Sequence, residues 1–219
     1  HNPGAATQRP NGSAAPPLWS INVATIGNYA IRSYYAGIDS VTATSEFLGL
    51  IEAFNSGDIT TVRAGLLGSN VPLRADVIAH GGRIGTVIAT GEIKSATDPT
   101  NRLRLQARDG IRSITAPSIT ADIDSYLGET AFGTDNGRLE SLITTSGPLT
   151  GTVRAGRLRH ATSTGEFTIA GDLLADLTIV GGCFVPITIN GDIPAGKKIE
   201  ILGNLVTQAA CTAQSYPAV

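Results

Sequence analysis

The sequence predicts an all-β fold wound as a solenoid, and three observations carry that prediction. One phrase recurs: an aliphatic residue, two spacers, a second aliphatic, one spacer, then a small residue, usually just after glycine. It reads Ile38-x-x-Val41-x-Ala43, Ile59-x-x-Val62-x-Ala64, Ile84-x-x-Val87-x-Ala89, Ile111-x-x-Ile114-x-Ala116 and Leu139-x-x-Leu142-x-Thr144, with starts 21, 25, 27 and 28 residues apart. A chain that forms a strand, turns a corner and returns to the same lateral position produces such a recurrence. Composition is the second observation. Aromatics are only 5% and methionine is absent, so the core must be built from Ile, Leu, Val and Ala, while 26 glycines supply corners. Third, short Ile-x-Ile runs followed by glycine crowd the C-terminal third.

Residues 1–17 are rich in Pro, Gly, Ala and polar residues without an apolar period, and read as an extended arm. The solenoid is expected over 18–205 and a C-terminal cap or tail over 206–219. Ile31, Tyr34 and Tyr35 lead into the first repeat. Ser45–Phe54 is read as one short helix, although its apolar residues do not settle between helical and extended periods. Around Pro117, Ile111, Ile114, Ala116, Ile119, Ala121 and Ile123 form two inward runs, which turns Asp122 and Asp124 toward water. The stretches Ser95–Asn101 and Gly128–Asn136 have loop chemistry. Farther on, Phe167/Ile169, Leu177/Ile179, Ile187/Ile189 and Ile199/Ile201 start 10 to 12 residues apart. They read as successive faces, two or three to a turn.

With those five phrases and the Ile-x-Ile-x-Gly runs, the chain resembles right-handed parallel β-helix proteins. Pectin-degrading enzymes, phage tailspikes and many bacterial surface proteins share that architecture. The resemblance covers residues 21–205 and rests on pattern rather than a diagnostic motif; it alone implies the right hand. The competing architecture is an antiparallel sandwich, which explains short strands and glycine turns but not the recurring phrase.

Composition also narrows the function. A formal charge of −2 and a pI near 5.9 give no long-range attraction to nucleic acid or an anionic membrane. Arg102, Arg104, Arg108 and Arg112 read as a solvated face interrupted by Asp109. No window of ~18 residues is continuously apolar, so no membrane-spanning segment is expected. The chain begins with His1 and carries no signal peptide, as expected of a processed chain or a fragment. Cys183 and Cys211 read as a disulfide tying down the C-terminal end, the alternative being two separate buried thiols. Asn11-Gly12-Ser13 is a possible glycosylation triplet. Trp19, the one tryptophan, either covers an end of the core or anchors the arm on another copy.

Signals for chemistry are sparse. His1, His80 and His160 lack metal-ligand spacing, and His80 reads as a turn residue. No nucleophile elbow or phosphate loop occurs. Asp122 and Asp124 share a strand face at a separation superficially suited to glycoside hydrolysis, yet such pairs are common on solvated strands. Gly133–Gly137 reads as a turn rather than a calcium loop. The threonines are too irregular for an ice-binding face. No catalytic, metal or cofactor site is expected. The leading expectation is an extracellular or cell-surface structural protein that assembles with copies of itself. Alternatives are a carbohydrate-binding or carbohydrate-cleaving protein, with Tyr34, Tyr35 and Tyr126 stacking on sugars, or an adhesin recognising another protein.

Overall fold

The computed structural model describes residues 20–55, 57–95, 102–125, 137–156, 166–179, 182–183, 187–202 and 205–206. These residues form strands and connections, as an all-β fold requires. The strands are β1 (Ser20–Ser33), β2 (Ile38–Ala53), β3 (Ile59–Ala64), β4 (Leu73–Ala79), β5 (Ile84–Ala89), β6 (Leu103–Ala107), β7 (Gly110–Ala116) and β8 (Ile119–Asp124). They continue with β9 (Arg138–Thr144), β10 (Leu149–Ala155), β11 (Phe167–Ile169), β12 (Leu173–Ile179), β13 (Gly182–Cys183), β14 (Ile187–Ile189), β15 (Ile199–Ile201) and β16 (Leu205–Val206).

Fourteen of them make one parallel sheet, and β13 pairs with β16 in a separate two-stranded sheet. The order in the large sheet is β14-β11-β9-β7-β5-β3-β2-β4-β6-β8-β10-β12-β15, with β1 also paired to β2. The two long strands explain this order. The first half of β2 pairs with β3 and its second half with β4, so β2 joins two wings. From there the chain alternates, placing one strand in the first wing (β3, β5, β7, β9, β11, β14) and the next in the second (β4, β6, β8, β10, β12, β15). Each such pair is one tier. With β1 and β2 as single-strand tiers there are eight in all.

The first repeated phrase is the first half of β2 and the other four lie in the first-wing strands β3, β5, β7 and β9, with equivalent aliphatic residues in register. Ile21, Val41, Val62, Val87, Ile114, Leu142, Phe167 and Ile187 form one continuous column. In the second wing Ile31, Ile51, Val77, Leu105, Ile123, Val153, Leu177 and Ile199 form another. The interior members of both columns are buried in a single core. Burying each aliphatic side chain contributes about 1.5–3 kcal/mol. The first-wing column grows from Val through Ile and Leu to Phe167, while the small position of the phrase changes from Ala116 to Thr144 to Ile169. The recurring phrase therefore fades after β9 even though the register continues.

Ser45–Phe54 corrects the helical expectation. Residues up to Ala53 belong to β2, where Phe47, Ile51 and Ala53 are buried opposite Leu73, Val77 and Ala79. Parallel pairing on both sides decides the conformation over a weak local preference. The ambiguous period comes from a register shift between β1 and β2 within this stretch. Gly49 lies beside that shift with a φ of 108°, and a Cβ there would sit 2.2 Å from the Tyr29 carbonyl oxygen. Only glycine fits that position.

Candidate assembly interface

The two ends of the sheet differ from its middle. β1 pairs only with β2, β14 only with β11 and β15 only with β12 among the described strands. The outer edges of these strands carry backbone donors and acceptors with no strand partner among the described residues. Burial of both apolar columns also falls off here, and Ile187, the last member of the first-wing column, is half-buried. At the C-terminal end Ile199, Ile201 and Leu202 are 44%, 41% and 58% exposed. At the N-terminal end Val23 is exposed, and Ile21 and Ile31 are half-buried. An interior tier buries the same column positions almost completely, whereas among the described residues no further strand covers them at either end.

A polar cluster marks the N-terminal end. The Arg32 Nε donates to Glu52 Oε2 at 2.9 Å, and His80 Nε2 lies 2.8 Å from Glu52 Oε1. An ionised carboxylate only accepts, so His80 presents its Nε2–H. Burial pushes the Glu52 carboxyl up, but the hydrogen bonds and charges of His80 and Arg32 together outweigh it and hold the group below the ordinary glutamate range. Just past the second-wing strands, Tyr34 stacks on Phe54 with ring centroids 4.9 Å apart, and Phe54 stacks on His80 at 4.7 Å. The three rings climb one tier at a time. Tyr34, in the terminal tier, is exposed. The Asn55 side-chain amide donates to the Tyr34 carbonyl and ties the two turns together.

The outer surface of the second wing is a ladder of opposite charges. Asp76 accepts two side-chain hydrogen bonds from Arg104, at 2.9 and 2.6 Å. Asp122 accepts from Arg102, from the Thr152 amide and from the Thr152 hydroxyl. Asp124 pairs with Arg154 at 3.4 Å. The two aspartates considered for glycoside hydrolysis thus lie on the outer face of β8, as their alternation implied, and both are engaged in cross-strand pairs. Opposite charges directly across a ladder support the sheet. All four arginines of the stretch, Arg102, Arg104, Arg108 and Arg112, are exposed, as a solvated face requires.

Other sequence-derived candidates separate in the fold. Tyr34 has given a ring face to Phe54, whereas Tyr35 is 84% exposed. His80 follows β4 immediately, but its contacts with Glu52 and Phe54 make it part of the cluster rather than a plain turn residue. Cys183 lies in β13 across from Val206, and Cys211 lies outside the described residues, as does any bond between them. Asn11, Trp19, Tyr126, His1 and His160 also lie outside them, as do the proposed 1–17 arm and nearly all of the 206–219 tail.

Arg32, Glu52 and Glu200 carry no local motif, and only the cross-strand register reveals their relation. The same is true of a hydroxyl row on the first wing. Ser20, Ser40, Thr61, Thr86, Ser113 and Ser141 are successive register partners, with a 3.2 Å hydrogen bond from Ser113 to Thr86. Irregular spacing along the chain conceals this row.

Among the described residues no group of three or more His, Cys, Asp or Glu side chains could hold a metal ion, and no helix is long and apolar enough to cross a membrane. None of the three comparisons, with protein-family models, curated proteins and solved structures, finds a match. The functional reading therefore rests on the geometry of this chain alone.

Proposed function

We propose that this chain is a right-handed parallel β-solenoid serving as an extracellular or cell-surface structural subunit that stacks end to end with copies of itself. One observation carries the reading: two core columns run unbroken through eight tiers, the second-wing column finishes in exposed Ile199 beside Ile201 and Leu202, and the other column ends, Ile187, Ile21 and Ile31, are half-buried. A second copy would bury Ile199, Ile201 and Leu202 and pair the strand edges that they border. The two ends are different surfaces, so their contact is heterologous and propagates into a filament unless its rotation closes a ring. Right-handed winding is supported by the strong preference of parallel strand–crossover–strand connections for that hand. The extracellular or surface placement is part of the proposal and draws on Cys183 and Cys211 as a candidate disulfide in the sequence.

Sedimentation velocity over a concentration series, with negative-stain microscopy of the same samples, tests the reading. Concentration-dependent growth into narrow filaments or rings is the expected result. A monodisperse monomer at the highest concentration would contradict it.

A second reading, recognition of a glycan, draws on Tyr29 and Tyr35, both strongly exposed on β1 and the turn after it. Their ring faces offer stacking surface for sugars. Binding on a glycan array that disappears in Tyr35→Ala would favour it over assembly alone.

A further inference from the structure

The register that stacks tiers within one copy also specifies how two copies meet. One column on the outer face of the second wing reads Arg32, Glu52, Ile78, Gln106, Asp124, Arg154, Thr178 and Glu200, each the register partner of the next. Its two ends carry opposite charges. Arg32 belongs to the terminal strand at one end and Glu200 to a terminal strand at the other. Resting on the end-to-end assembly proposed above, we infer that the junction continues this register, so that Glu200 of one copy faces Arg32 of the next.

The neighbouring positions accept the same continuation. Ile199 of one copy lies over Ile31 of the next, and Ile187 over Ile21, extending both core columns by one step. In the first wing Thr188 meets Asn22. One residue beyond Ile201, Leu202 donates its amide to the Ile179 carbonyl and so keeps the column position that Tyr34 holds after Ser33. Leu202 of one copy therefore covers the exposed Tyr34 ring of the next. Lys198 falls over Ala30, so these facing positions bring no like charges together. Opposite charges at directly facing positions stabilise a strand pair and like charges oppose it.

At the junction Arg32 is flanked by two carboxylates, Glu52 of its own copy at 2.9 Å and Glu200 of the neighbour. Glu200 already has Lys198, just before β15, at 3.6 Å, and the shared network spreads the charge across the joint. His80, the other partner of Glu52, extends the network one tier inward. The charged pair selects register, since a slip of one residue faces Arg32 with an aliphatic side chain.

Cross-linking tests the junction. The variant Arg32→Lys keeps the positive charge and supplies an amine. A carbodiimide then joins it to any adjacent carboxylate. Mixed light- and heavy-isotope copies distinguish links between copies from links within one. Within a copy Lys at position 32 and Glu200 stand seven strand spacings apart, about 34 Å at ~4.8 Å per spacing, beyond reach of a direct amide. A mixed-isotope link between positions 32 and 200 is expected, with the 32–52 link within copies as internal control. Glu200→Lys should weaken association about tenfold at low salt. Oligomers that give the 32–52 link but never the 32–200 link would overturn the junction while leaving assembly standing. If no oligomer forms at all, assembly and junction fall together.

Discussion

Val62 and Val87 face each other across neighbouring parallel strands, each fully buried, with Val41 before them and Ile114 after. Every interior member of that column packs between two others, so truncation leaves a void that tiers on both sides line. Ile114→Ala should lower unfolding free energy by about 2–5 kcal/mol. Thr115→Ala, one residue along on the outer face, should change it by no more than about 0.5 kcal/mol. Chemical denaturation of the two variants makes the comparison.

Gly151 and Gly68 both have positive φ, at 122° and 85°, but differ in surroundings. A Cβ at Gly151 would lie 2.1 Å from the Ala121 carbonyl oxygen, whereas one at Gly68 meets nothing within 4 Å. Gly68→Ala should carry only the conformational cost, about 1–2 kcal/mol. Gly151→Ala adds a backbone collision inside the β8–β10 pairing and should lower the melting temperature markedly more. Thermal unfolding followed by circular dichroism distinguishes them.

The Glu52 cluster makes stability depend on acid. Its carboxyl is held below the ordinary glutamate range in the folded chain. The unfolded chain therefore binds a proton more readily, and the stabilisation is fully present above the ordinary value of about 4.3. It is lost as pH falls from there through the lower folded value. Glu52→Gln should remove this part of the acid sensitivity and reduce stability at neutral pH. Denaturant midpoints measured from pH 7 down to pH 3 should converge for the two proteins at the acid end.

Much of this fold was legible in the chain because its core is a row of repeated choices. Ile38, Ile59, Ile84, Ile111 and Leu139 stand first or second in β2, β3, β5, β7 and β9, so the phrase reports the architecture directly. Phe47–Ala53 was not legible as a strand, since a register shift and Gly49 break its alternation. The candidate interface was harder still. Trp19 lies outside the described residues, and the described ends of the sheet are marked by Arg32 and Tyr34 at one and by Glu200 and Leu202 at the other, ordinary residues whose meaning lies in what they face. The Ser20–Ser141 hydroxyl row was hidden for the same reason: unequal connections separate residues that the sheet brings side by side.

If exposed Ile199 and Ile201 are the assembly surface, a charge there should block growth without unfolding the body. Ile201→Lys removes less buried apolar area from a single copy than the same change at an interior column position would, because that side chain is 41% exposed. Its melting temperature should stay close to that of the parent, while sedimentation shows a monomer. An equal loss of both would mean that the residue serves the fold of one copy.

The axial repeat of the assembled protein tests the central claim most directly. Eight tiers at about 4.8 Å each give a rise near 38 Å per copy when one stack continues into the next. Helical reconstruction by cryo-electron microscopy should find that rise, with β1 of each copy seated on β14 and β15 of its neighbour. Copies joined side by side, or filaments whose rise bears no relation to eight strand spacings, would contradict the account.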